Sequence, residues 1–167
     1  MRASRLGSGR RAVVKVLVVV VGKARRPLSD AIDAYEKRAA RYWKLEVVEV
    51  SAGAPGGARE AVLEAEGARI LKRIPDGFEV VALTRAGSTM DSVELAGYLE
   101  AHGVRSTPGV AFVIGGAFGL GRAVSERATR ALSVSPMTLP HEMARLLLAE
   151  QLYRAGTLVR GEPYHKG

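Results

Sequence analysis

From Val16 to Val21 the chain runs Val-Leu-Val-Val-Val-Val and stops at Gly22. An unbroken, β-branched run suits a strand covered on both faces, as in a parallel sheet, because a strand with one wet face would alternate. Pro27 opens a predicted helix in which Ile32, Tyr35, Ala39 and Tyr42 recur at helical spacing as far as Trp43. Leu45 to Val50 alternates as a second strand, and Ser51-Ala-Gly-Ala-Pro-Gly-Gly follows as a loop. Arg59 to Ile74 predicts a helix closed by Pro75-Asp76-Gly77, Phe78 to Thr84 a third strand, and Ser92 to His102 a helix with Val93, Leu95, Ala96 and Leu99 inward. Val110 to Ile114 is a fourth strand, followed by a short helix to about Thr129, a brief strand around Ala131 to Val134 and a final helix.

Strands alternating with helices predict an α/β fold, a mostly parallel sheet flanked by helices. Ligands of open sheets bind beyond the carboxyl ends of the strands, which directs attention to the loops at 84–88, 115–121 and 134–140.

At 167 residues the chain fits one domain, able to bury roughly 70% of its unfolded surface. With no cysteine and three scattered histidines, neither a thiolate metal site nor a histidine-based one is expected. The net charge of +8 is uneven: residues 1–44 hold twelve Lys/Arg against three Asp/Glu, the remainder thirteen against fourteen. A positive segment of that density attracts polyanions such as nucleic acid. Residues 1–13, MRASRLGSGRRAV, carry four arginines and no apolar period, which predicts a disordered basic extension ahead of a single domain over 14–167. Arg10-Arg11 ahead of the apolar run imitates a secretion signal, but Lys15 interrupts the run, Lys23, Arg25 and Arg26 follow it, and no small-residue cleavage pattern comes next. The run is also too short to span a membrane. A cytoplasmic protein without membrane contact is the expectation.

The loop Gly115-Gly-Ala-Phe-Gly-Leu-Gly121 allows close backbone approach to a ligand. It lacks the third glycine of a dinucleotide fingerprint and the lysine of a P-loop, and its Gly116-x-x-Gly119 follows a strand rather than joining two helices. A tight turn between strand and helix remains an alternative. Val134-Ser-Pro-Met-Thr-Leu-Pro-His141 is stiffened by two prolines, and by itself reads as a helix-entry loop with His141 in the first turn. In the final helix Met143, Leu146, Leu147 and Leu148 form an apolar stripe, while Glu142, Arg145, Glu150 and Arg154 supply charge. Glu150 and Arg154 are one turn apart and can pair. Tyr153, Arg154, Tyr164 and His165 gather phenol, guanidinium and imidazole near the chain end, a set suited to stacking a base, holding phosphate and moving a proton.

Phe112-Val-Ile-Gly-Gly-Ala-Phe-Gly-Leu, Leu132-Ser-Val-Ser-Pro-Met-Thr-Leu-Pro-His, Glu150-Gln-Leu-Tyr-Arg-Ala and Pro163-Tyr-His-Lys, in this order, together resemble the RlmH family of the SPOUT superfamily. The resemblance spans Val14 to Lys166. It implies a C-terminal deep trefoil knot, a homodimer, and S-adenosylmethionine-dependent methylation of N3 of a pseudouridine in 23S ribosomal RNA on assembled ribosomes, without metal. By the same resemblance Leu83, Gly115, Gly116, Val134, Ser135, Pro136, Met137, Thr138 and Leu139 line the cofactor site, residues 135–139 largely through backbone groups. His141, Arg154, Tyr164 and His165 then match the polar positions near the methyl: Arg154 orients base or phosphate, and Tyr164 and His165 position the base and assist loss of its N3 proton. Since the reaction is a direct displacement, alignment should contribute more than proton transfer. The N-terminal extension and Phe118 depart from the family pattern. The basic stretch Lys23 to Lys44 offers further rRNA contacts, and one subunit's cofactor can meet the other's tail in a dimer. The rival readings are a SPOUT methyltransferase acting on transfer RNA and a ribosome-binding protein without turnover.

Overall fold

The computed structural model describes residues 13–167. The predicted disordered extension lies, Val13 aside, outside the described residues. The sheet has the order β2-β1-β4-β3-β5, formed by β1 (Lys15–Val21), β2 (Lys44–Val50), β3 (Glu79–Thr89), β4 (Val110–Ile114) and β5 (Arg130–Ser133). Every pairing between these strands is parallel.

The unbroken apolar run of β1 is explained by two cores. Val16, Val18 and Val20 meet Phe112, Leu99, Leu148 and Leu152 on the face covered by α1 (Leu28–Ala39), α3 (Ser92–Arg105) and α5 (His141–Val159). Leu17, Val19 and Val21 meet Val113, Ile70 and Val124 under α2 (Arg59–Leu71) and α4 (Arg122–Arg127). Successive side chains of a strand point to opposite faces, so a strand between two helical layers needs apolar residues at every position. Each such side chain stabilises the fold by roughly 1.5–3 kcal/mol relative to exposure.

Three boundaries differ from the sequence expectation. Helix α1 stops at Ala39 rather than Trp43, where Tyr42 and Trp43 turn back to bond the Ala39 carbonyl at 3.0 and 3.2 Å. The apolar period continues past the helix because the turn is packed too: Trp43 is buried and its Nε1 donates to the Leu152 carbonyl at 2.7 Å. Helix α2 ends at Leu71, with Ile74 reached by a closing turn. Helix α3 extends beyond His102 to Arg105 and is started by a reciprocal pair, Asp91 and Glu94 each accepting from the other's amide at 2.7 Å. Its Val93 is 58% exposed, not inward, because it sits about 200° round the helix from buried Leu95.

Strand β3 also runs past Thr84. Residues 84–87 form an irregularity between Leu83 and Ser88, both of which pair with Leu132 of β5. The predicted loop at 84–88 is thus an excursion within a strand. Its Gly87 is required there, since a Cβ would come within 2.7 Å of the Ala131 and Leu132 backbone. No helix among the described residues is long and apolar enough to cross a membrane.

Candidate functional site

A cleft of about 630 Å³ opens at the carboxyl edge of the sheet. Its walls are the β3 excursion (Leu83, Thr84, Arg85), the turn after β4 (Gly115 to Leu120) and the loop between β5 and α5 (Val134, Ser135, Met137, Thr138, Leu139), closed by His141. The three segments singled out from the sequence therefore meet. Of the nine residues expected around a cofactor, Leu83, Gly115, Gly116, Val134, Ser135, Met137, Thr138 and Leu139 line the cleft, and Pro136 does not.

The glycine segment is a tight turn and a cleft wall at once. The Gly119 amide donates to the Gly116 carbonyl at 3.0 Å, with Gly119 at φ +78°, a conformation that favours glycine. A Cβ on Gly115 would run into the Gly119 backbone, and one on Gly116 would meet Val21 and the Glu66 carboxylate. Glu66 is buried, with Oε1 accepting from the Gly53 amide at 2.9 Å and Oε2 without a partner. Across the cleft, the Met137 amide donates to Ser135 Oγ at 3.0 Å and Arg85 Nη1 to Thr138 Oγ1 at 3.2 Å, which ties the β3 excursion to the loop before α5.

His141 is the first residue of α5, after Pro140. Its Nε2 is buried without a partner, and the ring lies on Gly22, where a Cβ would come 3.1 Å from that nitrogen. Beside it the Arg25 amide donates to Glu142 at 3.3 Å, seating the segment after β1 against the start of α5.

The other polar residues form a second cluster at the far end of the same helix. Glu150 is its hub, accepting from Arg154 Nη2 at 2.5 Å and from the Tyr164 hydroxyl at 3.1 Å on the same oxygen. Arg154 also reaches His165 Nδ1 at 3.3 Å and stacks 4.7 Å over the Tyr164 ring. Tyr153 packs between Tyr35, Tyr42 and Tyr164 at centroid distances of 6.3, 5.9 and 4.6 Å, so the cluster continues onto α1. Burial, then the hydrogen bond to Glu150, pushes the Tyr164 phenol up to about 12. The hydrogen bond to Glu150 raises the Arg154 guanidinium above its ordinary value, against the effect of burial.

The thirteen residue steps from His141 to Arg154 span about 20 Å of helix. Neither Arg154, Tyr164 nor His165 lines the cleft. Within one chain the structure thus brings together Arg154, Tyr164 and His165 and leaves His141 with the cofactor-site residues. Arg145, one of the charges of the final helix, is buried, paired with Glu36 at 2.7 Å and 3.5 Å from Glu49. Burial opposes its charge, and the two carboxylates outweigh burial to raise its pKa.

Sequence reasoning missed several participants. Glu150 appeared only as a pairing partner, although its spacing to Arg154 was the available signal. Nothing in the sequence marked Glu66 beneath Gly116, or Arg59, Arg85 and Arg130 on the cleft wall.

Comparison with known proteins agrees with this architecture. The family described as predicted SPOUT methyltransferase matches residues 14–165. The chain is 52% identical over 156 residues to ribosomal RNA large subunit methyltransferase H of Gemmatimonas aurantiaca, covering 92% of this chain and 100% of that protein. It is 41% identical over 159 residues to the protein of the same name from Clostridium beijerinckii, again over 92% and 100%. Among solved structures, a probable methyltransferase from Bordetella pertussis Tohama I superposes with a TM-score of 0.55 at 20% identity, over 85% of this chain and 96% of that one, a likeness of fold.

Proposed function

The chain belongs to the SPOUT methyltransferase family, and from that premise we propose that it methylates N3 of a pseudouridine in 23S ribosomal RNA, on assembled ribosomes, with S-adenosylmethionine as donor and as a homodimer. The observation that carries this reading is the cleft itself, in which eight of the nine residues assigned to the cofactor from sequence line one cavity at the carboxyl edge of a parallel sheet. Membership of this family implies a C-terminal trefoil knot, and the segments after β4 and β5 line one cleft.

The cleft suits this donor. Gly115 and Gly116 leave room where a side chain would fill the wall, and the exposed apolar residues Val134 and Met137 offer surface for an adenine ring. Bound there, S-adenosylmethionine supplies an electrophilic methyl group on its sulfonium. Residues 134–139 hold adenine and ribose, and Gly115 and Gly116 admit close approach of the rest. His141 closes the cleft beside them.

Tyr164, whose phenol stays protonated and donates its one proton to Glu150, positions the base through its ring and hydroxyl oxygen, while Arg154, fixed by Glu150, orients the base or its phosphate. His165 lies in contact with Arg154 and, with Tyr164, assists loss of the N3 proton. Since these three stand about 20 Å along α5 from His141, a complete site takes its cleft from one protomer and its tail from the other. Work on ribosomes places the enzyme in the cytoplasm.

The test is incubation of the purified protein with labelled S-adenosylmethionine and ribosomes from a strain lacking the modification, with the methyl mapped by mass spectrometry of digested RNA. One methylated pseudouridine in the large-subunit RNA is the expected result. Methyl transfer to transfer RNA instead, or no heat on titration with sub-millimolar S-adenosylmethionine, would overturn it.

A further inference from the structure

Three arginines from three elements converge on the cleft: Arg59 opens α2, Arg85 stands in the β3 excursion, and Arg130 opens β5. No carboxylate among the described residues lines the same cleft. This contrasts with the start of α1, where Arg26, just before the helix, lies 3.7 Å from Asp30. Arg59 and Arg85 are held by groups that leave their charge uncancelled, while Arg130 stacks on Tyr98 of α3, which lies outside the cleft lining. Arg59 lies 5.5 Å over the Phe118 ring, Arg130 lies 4.8 Å over Tyr98, and Arg85 donates to Thr138. Phe118, the residue out of keeping with its loop in the sequence, is 38% exposed at the tip of the glycine turn.

We propose that Arg59, Arg85 and Arg130 hold phosphates of an unpaired RNA segment that brings the target base to the cleft, with Phe118 as the face on which a neighbouring base stacks. The inference rests on the methyltransferase reading above and names how the substrate strand is held. N3 of a pyrimidine lies on the pairing edge, so a strand presenting it must be unpaired or have the base turned out. Unpaired strands are bound by cationic side chains along the backbone and aromatic faces under the bases. Guanidinium forks match phosphate oxygens two at a time, and Phe118 and Thr138 hold Arg59 and Arg85 in the cleft without a competing carboxylate.

The experiment measures binding of a fluorescent single-stranded RNA 20-mer to the full chain across a series of KCl concentrations, for wild type and for Arg59→Gln, Arg130→Gln, Arg59→Lys and Phe118→Ala. Each Gln variant is expected to lower the slope of log affinity against log salt by about 0.7, the value for one phosphate contact on a single strand. Arg59→Lys restores the slope, and Phe118→Ala weakens binding at every salt concentration with the slope kept. Wild type that does not bind the RNA, or Gln variants with unchanged slopes, overturns the proposal. Gln variants with unchanged slopes and a tenfold loss of S-adenosylmethionine affinity assign the arginines to the donor's carboxylate instead and likewise overturn it. Methyl transfer to ribosomes by wild type is measured in parallel. Its failure counts against the enzyme's assigned target, whereas the slopes decide the arginine contacts.

Discussion

Tyr164 and His102 show how burial assigns roles to single side chains. Tyr164 keeps its proton far above neutral pH because ionising it would set a phenolate against Glu150 in a half-buried cluster. Tyr164→Phe removes the donor and leaves the packing against Tyr153. Its expected effect is a loss of about 1.5–3 kcal/mol of transition-state stabilisation, roughly ten- to a hundredfold in kcat/KM. Titration calorimetry should find S-adenosylmethionine affinity within about twofold of wild type. Loss of cofactor affinity would make the tail a structural support of the cleft. His102 is 2% exposed, with Nδ1 2.6 Å from Thr107 Oγ1 and Nε2 2.9 Å from Glu79 without hydrogen-bond alignment. Burial lowers its pKa, and Glu79 only partly opposes this. The folded state therefore resists protonation that the unfolded chain accepts near pH 6.5, and His102 contributes stability that is present above that pH and lost as pH falls below it. The thermal midpoint should drop between pH 7 and pH 5, and His102→Gln should flatten that drop. An equally steep profile in the variant would place the titrating group elsewhere.

At the scale of elements, α5 and its contact with α1 organise the second cluster. Gly156 of α5 lies against Tyr42, and a Cβ there would occupy the space of the ring. Gly156→Ala must push α5 away from the turn that follows α1 and is expected to cost about 1–3 kcal/mol in urea unfolding. Because Tyr42 supports Tyr153 and Tyr153 supports Tyr164, activity should fall as well. A variant as stable and active as wild type would show that the turn carrying Tyr42 yields freely. How far such contacts could be read from the sequence depends on what each residue signals. The strands were legible because β1 and β4 are buried on both faces and allow only apolar residues. The ends of α1 and α2 were not, since Trp43 and Ile74 are packed in turns and extend the apolar period beyond the last helical bond. The β3 excursion was hidden for a related reason: polar residues and Gly87 look like a loop, and only pairing with β5 makes them part of a strand. Of the candidate site, the backbone-lined half was readable from motifs. The arginines around it were not, because each is a lone charge at an element's end or in an irregular turn, brought to the others only by folding.

At the scale of the whole molecule, the 20 Å of α5 between His141 and Arg154 decides how a site can be assembled. A rigid helix cannot fold its last turns back onto its first, and Tyr164 and His165 are bound to the same distant end through Glu150 and Arg154. If the tail acts in catalysis, it acts on a second copy's cleft. Two-fold pairing does this twice over, since a closed dimer presents the same surface from both partners. The consequence can be measured by complementation. Arg154→Ala removes the tail's guanidinium and spares the cleft, while Gly115→Leu fills the cleft wall and spares the tail. Each homodimer should be inactive. A heterodimer isolated by tandem affinity tags from co-expressed chains joins one intact cleft to one intact tail, and should recover roughly half the wild-type rate per dimer. If cleft and tail of the same chain cooperated, both sites of that heterodimer would be defective and no activity would return. A monomeric sedimentation coefficient for an active wild-type enzyme would reject the composite site outright.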